Sequence, residues 1–455
     1  MTKNPKFPNL IILHAHDMGR YNSLHGFDLP TPHMRAFGER ATLFRNCHCA
    51  APTCSPSRAA LLTGETAHQA GMLGLCHRGW DLMDRSRHLA HFLGQQGFHT
   101  VLSGIQHEFD LSRGESPYVE HLESDGDIFQ LDISAAEASA AFLNRRAKDK
   151  TDQPFFLWTG FFMPHRKFPD ADPDNARYLQ PPAPLPDTPE VRQDMADYAA
   201  AVEIADKAFG TVMDALETSG LAENTMVILT TDHGIAFPLM KCNLTSHGTG
   251  VTFAIDYPGN PSKGQVNNAL ISQLDVFPTI CDLLQLPKPD WLLGESMRPL
   301  IEDGAKSIRE DIFAEVTYHA AYEPMRMVRT DRYVYIRRFE KDLRRVMANV
   351  DDGHARRLML QRGFDKIKRQ AIELYDTYFD PVESRNLVGD PTYAEVLAEM
   401  EERLQAWMKR TDDPILKGPI QMNEWGFANS REAMYPNEGP YDLPDGRTVD
   451  RIEAS

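Results

Sequence analysis

The chain has no long apolar run. After Met-Thr-Lys-Asn-Pro-Lys-Phe-Pro it enters only the short stretch Leu10 to Leu13, well below a signal-peptide core or the ~18 apolar residues of a membrane span. No later stretch reaches that length. The expectation is a cytoplasmic protein that does not enter a membrane. There is also no block of lysine or arginine, and the formal charge is −17. That balance disfavours nucleic acid as a partner and obliges any anionic substrate to find a locally positive pocket. Cysteine is scarce: residues 47, 49, 54, 76, 242 and 281 do not make a disulfide scaffold in so long a chain. No internal repeat or low-complexity tract is evident. At 42% hydrophobic and 25% charged residues the chain is globular rather than disordered. Its 455 residues exceed one ordinary core and imply a large domain with a smaller one.

What is present is a set of short apolar runs that end in polar clusters. Asn9 to His14 leads into His14-Ala-His16-Asp17, Phe155 to Thr159 leads towards Met163-Pro-His165, and Met226 to Thr231 leads into Asp232-His233-Gly234. Thr252 to Ile255 is a weaker fourth run. Each fits a buried strand. Residues 194–218 repeat apolar side chains at spacings of three and four, with Gly220 as a stop, and 88–96 and 135–146 also read as helices. Strands alternating with helices predict an α/β domain around a large, mostly parallel sheet sandwiched by helices. In such sheets ligands bind at the carboxyl ends of the strands, where the polar clusters lie. The proline-rich stretch 180–189 reads as a surface loop. Beyond about residue 325 the character changes. Residues 325–329 and 332–337 alternate like half-exposed strands, 373–378 is a further strand, and 393–408 is an amphipathic helix. We expect a catalytic domain over 1–325 and a smaller C-terminal α+β subdomain over 326–455.

The strongest single signal is Cys54-Ser55-Pro56-Ser57-Arg58, followed by Ala-Ala-Leu-Leu-Thr63-Gly64. Pro56 suits the first turn of a helix and Gly64 its end, which places Cys54 at a helix N-terminus, where backbone donors and the dipole favour an anion. The pattern Cys-x-Pro-x-Arg resembles the formylglycine signature of the sulfatase family. The resemblance extends along the chain through His16-Asp17, Gly104-Ile-Gln-His107, Pro164-His165, Asp232-His233-Gly234, Lys241 before Gly248-Thr-Gly250, and Glu373-Leu-Tyr-Asp with Asp380-Pro and Asn386-Leu. Within the family, Phe44-Arg-Asn46, His68-Gln-x-Gly71-Met-x-Gly74-Leu, Gly234-Ile-x-Phe-Pro238 and Asn243-Leu244 most resemble the heparan N-sulfatases.

The resemblance implies an alkaline-phosphatase-like fold and a hydrolase of sulfate esters or sulfamates, acting on a small-molecule or carbohydrate substrate. It implies that a formylglycine-generating enzyme oxidises Cys54 to an aldehyde. The hydrated aldehyde attacks sulfur with one hydroxyl and expels sulfate with the help of the other. It assigns catalysis to Cys54, Arg58, His107, His165 and Lys241, and one divalent ion to His16, Asp17, Cys54, Asp232 and His233. Calcium or magnesium is the family's usual ion. Here two oxygen donors are replaced by His16 and His233, which favours manganese or zinc. The lysine usual beside the first histidine is replaced by Ile105 or Gln106, which shifts sulfate binding onto Lys241, Arg58 and His165. His68, His77, Arg78 and His319 are further substrate-facing candidates, with Tyr322 beside the last.

Two other functions fit the same residues. One is a phosphonate monoester or phosphodiester hydrolase with the same nucleophile. The other is a non-catalytic, metal-bound protein that binds sulfated glycans. Cys47-His48-Cys49 invites a zinc reading but lacks a second ligand pair at suitable spacing. The oligomeric state, a homo-oligomer included, is left open.

Overall fold

In the computed structural model, which describes residues 8–149 and 151–452, the first thirteen strands are β1 (Asn9–Ala15), β2 (Thr42–His48), β3 (His99–Gly104), β4 (Glu120–Leu122), β5 (Phe155–Phe161), β6 (Thr225–Thr231), β7 (Gly250–Asp256), β8 (Val266–Asn267), β9 (Ile271–Ser272), β10 (Ile312–Tyr318), β11 (Tyr322–Arg329), β12 (Tyr333–Arg338) and β13 (Ile372–Asp376). Strands β4-β3-β5-β1-β6-β7-β2-β8 form one sheet in that order, with β9 beside β2. Pairing is parallel from β4 through β6, and β7 runs antiparallel to both of its neighbours.

Both faces of this sheet are covered, as the uninterrupted apolar runs require. Ile11 and Leu13 of β1 pack into one core with Tyr198, Val202 and Phe209 of helix Pro189–Thr218 and Phe142 of helix Leu131–Lys148. Leu10 and Ile12, on the alternate face, join Leu61 and Leu62 of helix Cys54–Thr63, Phe92 of helix Leu89–Gln95 and Phe277 of helix Val276–Leu283. The long helix starts at Pro189 rather than 194. Proline is well placed at the first helical position, and the Thr188 side chain caps the start by accepting from Val191 N.

The second sheet is antiparallel, in the order β10-β11-β12-β13. Helix Ala394–Arg410 covers one face through Leu404 and Trp407, which pack on Val328 and Tyr335. The other face is filled by Met325, Met327, Val334, Ile336 and Leu244. The expected half-exposure of 325–329 is therefore corrected: β11 is buried on both sides, because Leu244 and its neighbours cover the face away from the helix. The expected division at 325/326 falls inside β11, and this sheet opens at Ile312. A three-stranded ribbon, Ala428–Asn429, Tyr441–Asp442 and Thr448–Val449, follows. Among the described residues no helix is long and apolar enough to cross a membrane.

Candidate active site

The parallel strands β3, β5, β1 and β6 are neighbours, and each ends in a polar residue at the same edge. His16 and Asp17 follow β1, Asp232 and His233 follow β6, His165 follows β5, and His107 follows β3. Helix Cys54–Thr63 begins at this edge with Cys54 in its first turn, and Gly64 closes it in the left-handed conformation at φ 71°.

His16, Asp17, Cys54, Asp232 and His233 are all buried, and each offers one ligand atom within 4.8 Å of every other. His16 Nε2 lies 3.5 Å from Asp17 Oδ1 and 3.4 Å from Asp232 Oδ2. His233 Nε2 lies 3.4 Å from Asp17 Oδ1 and 3.5 Å from Cys54 Sγ. Donors about 2.0–2.2 Å from a shared ion stand about 3.0–3.5 Å from one another. Neither nitrogen of His16 nor Asp232 Oδ2 has a hydrogen-bond partner.

The surroundings orient these atoms. His233 Nδ1–H donates to Gly234 O at 2.9 Å, which leaves the Nε2 lone pair facing the cluster. Asp232 Oδ1 accepts from Asp17 N and His233 N, so only Oδ2 faces inward. Burial holds His16 well below the ordinary imidazole range and therefore neutral, the form in which imidazole ligates metal. This donor set fits a divalent ion.

Positive charge gathers beside the cluster. Lys241 Nζ donates to Asp17 Oδ2 at 2.9 Å and lies 3.7 Å from Asp351 Oδ2. Burial would raise the pKa of Asp17, but Lys241, His165 and His233 together outweigh it and hold the carboxyl at about 2. Arg58 is wholly buried with no hydrogen-bond partner, its Nε 3.8 Å from Asp232 Oδ2. His165 donates from Nδ1 to Arg166 O, which turns Nε2 towards Asp17 Oδ2 at 3.9 Å. His107 Nε2 and His77 Nδ1 share a 3.0 Å hydrogen bond. Burial pushes the Cys54 thiol well above its ordinary range, against the pull of Lys241. Unmodified, it is no activated thiolate.

A cavity of about 560 Å³ opens onto the cluster. Cys54, His77, Arg78, His107, His165, Lys241 and His319 all border it. The outer wall comes from Arg166 and Phe168, from the loop 351–354, and from Tyr435 to Glu438. One expected substrate contact is corrected. His68 faces away: its Nδ1 bonds Glu315 Oε1 and its Nε2 bonds Thr411 O, because Glu315 and the end of helix Ala394–Arg410 meet it there. Arg78 borders the cavity, with its two terminal nitrogens donating to Ala320 O, Asn429 Oδ1 and Pro436 O. These acceptors are neutral and Nε has no partner, so Arg78 holds the wall in place and keeps an unpaired positive charge beside the cavity. Tyr322 packs on Tyr318, and its hydroxyl accepts from Ile420 N. His48 bonds Thr249 and Asn46, which removes it from any zinc site with Cys47 and Cys49.

His68, Glu315 and Asp413 form a second cluster of potential ligands. Arg326 occupies it, paired through two nitrogens with Asp413 and 3.4 Å from Glu315. It is an ionic network. Asp351 and the wall 435–438 carry no motif in the sequence that marks them as site residues.

A family model described as "Sulfatase" matches residues 8–286, and one described as "N-sulphoglucosamine sulphohydrolase, C-terminal" matches 242–354. The N-sulphoglucosamine sulphohydrolase of Homo sapiens is 29% identical over 90% of this chain and 92% of its own length. A Delta 4,5-hexuronate-2-O-sulfatase of Bacteroides thetaiotaomicron is 25% identical over 89% and 90%. Among solved structures, a 2-O GAG sulfatase superposes with a TM-score of 0.70 at 20% identity, covering 92% of this chain and 95% of that one. A structure in complex with its substrate D-glucosamine-2-N,6-O-disulfate superposes at 0.67 and 18% identity, covering 91% and 99%.

Proposed function

The chain belongs to the sulfatase family, and on that premise we propose that it releases sulfate from sulfated sugars, N-sulfated glucosamine among them, with a nucleophile made from Cys54. The observation that carries this reading is the convergence of His16, Asp17, Asp232 and His233 on Cys54 at a helix N-terminus. The sugar substrate is inferred from the relatives whose names specify sulfated sugars.

In this reading a divalent ion held by His16, Asp17, Asp232 and His233 supplies Lewis-acid polarisation of a sulfate oxygen, with manganese or zinc preferred. The formylglycine made from Cys54 by a formylglycine-generating enzyme supplies the attacking hydroxyl. Lys241 binds sulfate oxygens and stays charged because Asp17 and Asp351 flank it. Arg58 places a second positive charge behind the nucleophile. His165 presents Nε2 to the leaving group or to a sulfate oxygen, with its ring fixed by the bond to Arg166 O. His77 holds His107 in orientation beside it.

The test is sulfate release by fully modified protein from glucosamine N-sulfate, an O-sulfated sugar and 4-nitrophenyl sulfate, with a phosphonate monoester alongside. The sulfated sugars should be the better substrates. Efficient turnover of the aryl sulfate with no release from either sugar rejects the sugar assignment. A phosphonate preferred over every sulfate would transfer the function to phosphonate or phosphodiester hydrolysis on the same nucleophile.

A further inference from the structure

We propose that Asp351 is a specificity-determining residue that selects a leaving group departing as an amine, and so favours sulfamates of amino sugars over sulfate esters. This inference rests on the sulfatase reading above.

A carboxylate is an unexpected neighbour for a sulfate-binding lysine. Asp351 Oδ2 lies 3.7 Å from Lys241 Nζ and borders the cavity. Among the described residues, its carboxylate accepts no hydrogen bond. Lys241 already has a nearer counter-ion in Asp17, which accepts from Nζ at 2.9 Å. An anion held by Lys241 lies near both charges, and the repulsion from Asp351 weakens its binding unless the carboxylate gains something from the rest of the substrate.

The loop is built to keep the carboxylate there. On one side Asn349 accepts from Ala321 N and donates to Ala321 O and Glu323 Oε2. On the other, Ala355 N donates to Asp194 Oδ2, and Asp194 is paired with Arg166. Gly353 packs so closely on the Arg166 guanidinium that a Cβ would stand 2.4 Å from it. His319 borders the same cavity, largely buried, with Nδ1 lacking any partner. The site thus offers an acceptor carboxylate and an imidazole to the part of the substrate beyond the sulfate.

The chemistry of the leaving group decides what the carboxylate gains. In sulfamate hydrolysis the S–N bond breaks and a new S–O bond forms to oxygen that derives from water: R–NH–SO3⁻ plus H2O gives R–NH3⁺ plus SO4²⁻. The nitrogen acquires protons and positive charge as it leaves, and a carboxylate beside it accepts a charged hydrogen bond in the transition state. A sulfate ester releases a neutral alcohol or a phenolate, and the same carboxylate gains little or is repelled.

The experiment measures kcat/KM of formylglycine-containing wild type and Asp351→Asn on glucosamine N-sulfate and on 4-nitrophenyl sulfate, with thermal midpoints to verify folding. The ratio of sulfamate to aryl-sulfate efficiency should fall roughly ten- to a hundredfold in Asp351→Asn, and Asp351→Glu should recover part of it. A general structural loss lowers both efficiencies and leaves the ratio unmoved, which overturns the proposal. So does a wild type that cleaves the aryl sulfate but not the sulfamate, a result that leaves the family activity standing. A wild type that releases sulfate from neither overturns this inference together with the reading beneath it.

Discussion

His16 Nε2 stands 3.4 Å from Asp232 Oδ2; both residues are buried, and neither atom has a hydrogen-bond partner. A buried polar atom left unsatisfied costs about 1–3 kcal/mol, and a shared cation removes that cost for both.

The first prediction concerns that cation. Purified protein should contain one divalent metal ion per chain. After chelation, manganese or zinc should restore more activity than calcium. His16→Asp recreates an oxygen donor and should move the preference towards calcium. Full activity with calcium alone, and no response to manganese or zinc, would show that the two histidines do not set the preference.

Lys241 is expected to dominate sulfate recognition, because the position that usually carries a second lysine holds Ile105 or Gln106. A charged hydrogen bond contributes about 1.5–3 kcal/mol. Lys241→Ala should therefore lower kcat/KM roughly ten- to a hundredfold, with Lys241→Arg less affected. Steady-state kinetics check this, and an unchanged kcat/KM removes Lys241 from the machinery.

The network around His68 makes stability depend on pH. His68 donates from both ring nitrogens, to Glu315 Oε1 and Thr411 O, so it is an imidazolium. Burial alone would lower its pKa, but Glu315 and Asp413 together outweigh burial and raise it above the ordinary 6.5. Burial likewise opposes the Glu315 carboxylate, which His68 and Arg326 nevertheless hold down at about 2. The His68 contribution is complete below 6.5 and fades as pH rises through the raised value. The Glu315 contribution is complete above 4.5 and fades as pH falls towards 2. Between those limits Glu315→Gln should cost about 3–5 kcal/mol, because it leaves buried positive charge uncompensated. Unfolding of wild type and variant at about pH 5.5 and about pH 9 should show the larger gap at the lower pH. Equal gaps would mean that His68 is not the titrating partner.

The parts of this molecule legible in its sequence were those where local pattern and chemistry coincide. β1, β5 and β6 are continuous apolar runs ending in His16-Asp17, Met163-Pro-His165 and Asp232-His233, and the structure brings those ends together at one sheet edge. β2 was not legible, since Arg45 and Asn46 interrupt Thr-Leu-Phe-Arg-Asn-Cys-His where the strand bulges against β7. β10, Ile-Phe-Ala-Glu-Val-Thr-Tyr, hides its strand character behind Glu315, whose burial depends on His68 and Arg326 from elsewhere in the chain. His68 looked like part of the site because it follows the nucleophile helix, but only tertiary contact reveals that it faces Glu315. Asp351 carries no local motif at all, and its meaning comes from Lys241, more than a hundred residues away in sequence.

The most direct measurement is the mass of the peptide containing Cys54, read alongside turnover. Protein made with a formylglycine-generating enzyme should carry an aldehyde in place of the thiol, and activity should rise in proportion to the aldehyde fraction. Cys54→Ala should be folded and inactive. Active protein in which Cys54 is only a thiol would contradict the nucleophile proposed here.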